Sequence, residues 1–223
     1  MTTSKRRDFL RNASFALAGA AMGAVASAQD ASPPKRRIIG ISTSHRPGMT
    51  CAAGLKFVLD SVKTADPSLE TELIELADMN IGMAVVGGDQ PKDDLDPVLE
   101  RIAAPECVGI VIASPVYFGL PSARCVAMIN RMMPIKKALS LKNKILGLVA
   151  CGGSRNGGQE TVLHALTGSL VAFQMILAVD APPTSHWGAT FWNQKNSIAE
   201  DEFGISTAKN LGIRMAELAK LVS

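Results

Sequence analysis

Three near-continuous apolar runs organise this chain, and each opens into a loop of Ser, Gly or Pro and then into a segment of helical period. The first is Arg37-Ile-Ile-Gly-Ile-Ser42, and residues 107–114 and 145–150 repeat its character. Short unbroken apolar runs suit strands covered on both faces of a parallel sheet. Residues 69–76 (LETELIEL) alternate apolar and acidic positions in their first half, which predicts a more exposed strand near the sheet edge. Residues 175–179 supply the last strand. Helical spacing covers 50–65, stopped by Pro67, then about 94–103, 122–133, 159–173 and 200–221.

Two stretches lack either period. Residues 77–94 are rich in Gly and Asp and end in Asp93-Asp94. A loop this long in a compact domain is usually functional or mobile. Residues 180–197 carry Pro, Trp and His and read as a second loop. Five strands alternating with five helices predict an α/β three-layer sandwich, with a parallel sheet, right-handed crossovers and helices on both faces. In the strand order 2-1-3-4-5 the first, third and fourth strands are neighbours, so the loops at 42–50, 114–121 and 151–158 converge on one crevice.

The first 28 residues stand apart from that pattern. Ser4-Lys5-Arg6-Arg7-Asp8-Phe9-Leu10 precedes an apolar run of small residues over 13–26 and an Ala26-Ser27-Ala28 site. This is the layout of a secretory signal, and paired arginines before Phe-Leu match a twin-arginine export signal. A short membrane anchor is the alternative if the segment is not cleaved, although the run is shorter than the ~20 residues of a membrane span. The chain therefore divides into a signal at 1–28, a Pro-bearing linker at 29–36 and one domain at 37–223, with the mature protein placed in the periplasm. The signal holds Lys5, Arg6, Arg7 and Arg11 against Asp8, which accounts for the whole formal charge of +3 and leaves 19 residues of each sign elsewhere. Nothing in a near-neutral domain suggests a nucleic-acid partner, and a membrane is relevant only through export or an electron donor.

Cys51, Cys107, Cys125 and Cys151 form no CxxC and no Cys/His cluster, so neither a metal site nor a disulfide framework is indicated. Each falls on or beside a different apolar element and reads as a small core residue. His164 reads as a surface or interface residue. His186, Trp187 and Trp192 are loop residues that either pack locally or border a ligand.

The first loop offers Ser42, Thr43, Ser44, Arg46 and Thr50, donors that suit a phosphate at a helix start or, more simply, a helix cap. It has neither GxxxxGK[ST] nor GxGxxG, which argues against a nucleoside triphosphate and a conventional dinucleotide fold. The second loop brings Tyr117 and Phe118, rings that stack on a planar ligand or fold back into the core. The third holds Gly152, Gly153, Gly157 and Gly158 around Arg155, allowing close backbone approach to a flat ligand or forming a plain flexible turn.

Taken together, ISTSHRPGMT, SPVYFGLPSA and CGGSRNGGQE resemble the NADPH-dependent FMN reductase and iron-sulfur flavoprotein group of the flavodoxin-like superfamily over about residues 37–180. The resemblance implies a flavodoxin-like fold and an FMN whose phosphate meets Ser42, Ser44, Arg46, Met49 and Thr50. It implies a flavin ring lined by Ser114, Pro115, Val116, Tyr117, Phe118 and Gly119, and reached by Gly152, Gly153, Arg155, Asn156 and Gly157. It further implies an oxidoreductase using NAD(P)H or another donor, a small acceptor such as a quinone or flavin, and a homodimer or homotetramer. A flavodoxin-like electron carrier is the alternative. No acid or base side chain is required. Iron-sulfur members carry a compact cysteine motif where this chain has Met83-Ala-Val-Val-Gly-Gly88, so no iron-sulfur cluster is expected. His45 and Met49 also depart from the residues common in relatives, which shifts the expected phosphate contact toward Arg46 and backbone N–H groups.

Overall fold

A computed structural model describes residues 35–85 and 88–222. The signal expected over 1–28 and most of the linker lie outside the described residues. Strands β1 (Arg37–Ser42), β2 (Glu70–Glu75), β3 (Cys107–Pro115), β4 (Ile145–Gly152) and β5 (Ile176–Leu177) form a parallel sheet in the order β2-β1-β3-β4-β5. Helices α1 (Thr50–Ala65), α2 (Asp96–Ala103), α3 (Ala123–Arg131), α4 (Met133–Lys137), α5 (Gln159–Leu170) and α6 (Glu202–Ala219) flank it.

The sheet gains a strand that the sequence pattern does not reveal. Ala189–Trp192 forms β6, which pairs in parallel with β4 from Val149↔Ala189 to Gly152↔Trp192. β5 takes only the other end of β4, at Ile145↔Ile176 and Leu146↔Leu177. The stretch expected to be a loop over 180–197 is therefore interrupted by four strand residues, Ala-Thr-Phe-Trp, of which three are buried. Thr and aromatic side chains favour that conformation. The expected helix over 122–133 ends at Arg131, and the short α4 follows with Pro134 near its start, where a missing N–H is tolerated.

Alternating residues of the central strands supply two cores. Ile39, Ile41, Ile110, Ile112, Leu146 and Leu148 face α2, α3 and α5. Ile38, Val111, Ala113, Ile145 and Val149 face α1 and α6. Gly212 of α6 sits so close to α1 that an added Cβ would lie 2.3 Å from the Val58 carbonyl oxygen. That absence of a side chain lets the two helices touch.

The long 77–94 segment is fastened from α3. Arg131 is 1% exposed and donates to the carbonyls of Gly82 (3.2 Å) and Pro91 (2.7 Å) and to the carboxylates of Asp93 and Asp96. Arg124 Nη1 donates to the carbonyls of Leu76 and Met79 at 2.7 and 2.6 Å. Burial alone would raise the Asp93 carboxyl, but hydrogen bonds from Arg131, Gly82 N–H and Leu95 N–H outweigh it and hold the group below its ordinary range.

Candidate functional site

The loop after β1 runs directly into α1. Thr43 Oγ1 donates to the Ala113 carbonyl at 2.9 Å, which ties this loop to the end of β3. Ser44 Oγ accepts the Arg46 N–H at 3.0 Å, and Ser42, Ser44 and Thr50 are buried. Met49 holds the N-cap position but caps nothing with its side chain. The first N–H groups of a helix have no partner inside it. Left without a side-chain cap, they put a turn of donors at the positive end of the helix dipole, which is anion-binding chemistry. The Gly48 N–H is taken by Glu75 Oε2 at 2.8 Å, while the exposed Arg46 reaches Asn196 Oδ1 at 2.7 Å.

The loop after β3 is locked to its neighbours on both sides. Ser114 Oγ accepts the Ser122 N–H at 2.9 Å and donates to the Pro115 carbonyl at 2.9 Å. Ser122 Oγ donates to the Thr43 carbonyl at 2.8 Å and accepts the Cys125 N–H, so it caps α3 while it holds the first loop. The Val116 N–H donates to the Cys151 carbonyl at 2.9 Å, joining this loop to the third. Tyr117 and Leu120 exchange backbone bonds at 3.0 Å around Phe118 and Gly119, whose φ values of 55° and 77° define a tight mirror-image turn. Both rings lie outward, with Phe118 fully exposed and Tyr117 6.1 Å from the His45 ring.

The loop after β4 is shaped by Gln159, buried at the start of α5. Its Oε1 accepts the Gly157 N–H at 2.8 Å, and its Nε2 donates to the carbonyls of Ser154 (2.6 Å) and Phe191 (3.1 Å). Gly158 has φ 94°, and a side chain there would lie 3.3 Å from both Gly119 Cα and Val116 Cγ1. Gly153 faces open space, and Gly152 and Gly157 are hemmed in by Gln159 and Ser154. Arg155 turns toward β6 and α6, where it pairs with the buried Asp201 and lies over the Phe203 ring at 5.5 Å. Asp201 also accepts the N–H groups of Trp192 and Gly204, capping α6. Asn156 is exposed beside Arg155. A cavity of about 480 Å³ opens there, lined by Arg155, Asn156, Thr161, His186, Thr190 and Phe203.

The fold thus ties the three expected loops together at the carboxyl ends of β1, β3 and β4. Gln159, Ser122 and Asp201, which hold them in shape, were not singled out in the sequence. Asp201 had a readable signal, an Asp-Glu pair at the start of a helical run. Gln159 had none, since its partners are backbone groups up to 32 residues away.

Residues 36–186 match the NADPH-dependent FMN reductase family. The chain belongs to that family. It is 36% identical over 194 residues to an iron-sulfur flavoprotein of Methanocaldococcus jannaschii, covering 83% of this chain and 98% of the relative. An iron-sulfur flavoprotein of Methanosarcina thermophila is 29% identical over 194 residues, with 83% and 96% covered. Among solved structures, RosB with a bound riboflavin-phosphate intermediate superposes with a TM-score of 0.66 at 17% identity, over 83% of this chain and 79% of RosB. An apo NADH:FMN oxidoreductase superposes with a TM-score of 0.58 at 17% identity, over 84% and 90%. These structural likenesses establish the flavodoxin-like fold.

As a family member the chain is an FMN-binding oxidoreductase of the FMN reductase type. Its residues fit that cofactor: the uncapped start of α1 suits a phosphate, and the open face at Gly153 leaves room for a flat ring. They do not fit a cluster held by four cysteines. Cys107 begins β3, whereas Cys151 is level with Pro115 at the far end of that strand, on the order of 25 Å away at ~3.3 Å per residue. All four thiols are free and buried, and among the described residues no three His, Cys, Asp or Glu side chains gather into a metal site. A hydrogen bond with Cys151, together with burial, raises the Cys51 thiol well above its ordinary value. Burial takes Cys125 to about 12 and Cys107 to about 11.

Proposed function

We propose that this protein is an exported flavoenzyme that takes a hydride from NADPH, or electrons from a periplasmic or membrane donor, and delivers them to a small acceptor such as a quinone or a flavin. The observation that carries this reading is the meeting of three strand-end loops at the uncapped start of α1, in a chain of the FMN reductase family. Bound FMN supplies the redox chemistry, and the protein supplies binding, orientation and electrostatics.

In this reading Ser42, Ser44, Arg46, Met49 and Thr50 surround the phosphate. The segment from Ser114 to Gly119 flanks the ring, and Gly152, Gly153, Arg155, Asn156 and Gly157 approach it from the other side. Arg155 acts through its backbone, because its guanidinium is engaged by Asp201. The cavity beside that loop gives a second substrate a place to enter. In the overall reaction NADPH gives up a hydride, which supplies two electrons and one proton, and the quinone takes its second proton from water to become a quinol.

The exposed Phe118 and Leu120 at the tip of the second loop favour a homodimer or homotetramer that covers them. Sedimentation of the mature chain should then show an oligomer that Phe118→Asp dissociates. Export rests on the N-terminal sequence, and replacing Arg6 and Arg7 together by Lys should retain the protein in the cytoplasm.

The purified mature chain should be yellow, bleach anaerobically on addition of NADPH, and oxidise NADPH steadily when a quinone is present. Bleaching without steady turnover would favour an electron carrier instead. A colourless protein that takes up no added FMN would defeat both readings.

A further inference from the structure

The arm formed by residues 192–197 leads from the end of β6 toward α6, and it lies beyond residue 186, where the family match ends. It nevertheless touches both ends of the crevice. Trp192 Nε1 donates to the Gly153 carbonyl at 3.2 Å, and the Asn193 N–H donates to the Gly152 carbonyl at 2.8 Å. Three residues later, Asn196 Oδ1 accepts from Arg46 Nη1 at 2.7 Å. The arm therefore runs from the third loop to the first.

Its bend is tight. Gln194 and Ser197 exchange backbone bonds at 2.8 and 2.9 Å around Lys195 (φ 51°) and Asn196 (φ 69°). Asn tolerates that left-handed conformation better than most residues, and Lys gains nothing from it.

One side-chain pair gives this connection the character of a binding wall. Arg46 is exposed, and a long exposed side chain ordinarily keeps its rotamer freedom. Here Asn196 holds it beside the uncapped start of α1.

We propose that the 192–197 arm is a fourth wall of the FMN site, in which Asn196 holds Arg46 toward the phosphate monoester. The inference rests on the FMN reading above. It makes the arm a contributor, through Arg46, to the selectivity of the first loop for FMN over riboflavin, because the two share ring and ribityl chain and differ only in the phosphate. Asn196 is a positioning residue: it acts through Arg46.

The test is titration of the full apoprotein with FMN and with riboflavin, each followed by quenching of flavin fluorescence. Asn196→Gly keeps a residue suited to positive φ and removes only the grip on Arg46. It should weaken FMN about tenfold while riboflavin stays within about twofold, the effect of one lost charge-assisted contact. Arg46→Ala should do the same, and the double variant should be no worse than Arg46→Ala alone, as expected for residues acting as a unit. A wild-type FMN-to-riboflavin ratio in Asn196→Gly, or additive losses in the double variant, would overturn the fourth wall and leave the FMN reading standing. A wild-type apoprotein that binds neither flavin would overturn the FMN reading itself.

Discussion

At the scale of single residues, the site depends on side chains that bind backbone rather than ligand. Gln159 satisfies one N–H and two carbonyls, two of these groups within the glycine loop and one on β6. Truncating it leaves those groups unpaired, at about 1–3 kcal/mol for a buried polar group. Gln159→Ala should therefore lower the unfolding free energy by about that amount in urea melts and loosen FMN binding, whereas Gln159→Glu should recover only the contact at Gly157 N–H. The cysteines give a separate expectation. Burial makes all four unreactive in the folded state, and raised thiol pKa values reinforce this at Cys51, Cys107 and Cys125. A thiol reagent at neutral pH should titrate almost none in native protein and four after denaturation.

At the scale of elements, the long segment before α2 is held by a buried ion pair. Removing one partner of such a pair strands the other charge, at about 3–5 kcal/mol, so Arg131→Ala should expose the 77–94 backbone to rapid hydrogen exchange and proteolysis. The Asp93 carboxyl has a depressed pKa in the fold, so its contribution is complete above its unfolded value near ~4 and fades as pH falls through the folded value. Acid melts of the wild type should lose this stability, and Asp93→Asn should already lack it at neutral pH. Periodicity made the strands β1 to β4 and most helices legible, because each buries a continuous stripe. β6 was not legible, since four residues between Pro- and Asn-bearing turns carry too little pattern, and its burial comes from pairing with a strand about 40 residues earlier. For the same reason the three glycine and serine loops could be read as neighbours from strand order. The arm that reaches Arg46 from 150 residues away could not.

At the scale of the whole molecule, two cores on opposite faces of one sheet make the domain a single cooperative body, and a ligand held between its loops should stabilise all of it. A ligand at ~100 times its Kd adds about 2.7 kcal/mol, which for a domain of this size raises Tm by roughly 5–10 °C. Thermal melts with FMN should show that rise, and riboflavin should give a smaller one. The division of the β4 border between β5 and β6 has a consequence for self-association. A foreign strand approaching that border meets two residues at one end and four at the other, too short for a stable ladder. The opposite border, β2, is lined by Glu70 and Glu72, with Lys35, Arg37 and Arg101 beside them. Brevity guards one margin of the sheet and charge the other, so copies of this protein should stay apart edge to edge even when crowded.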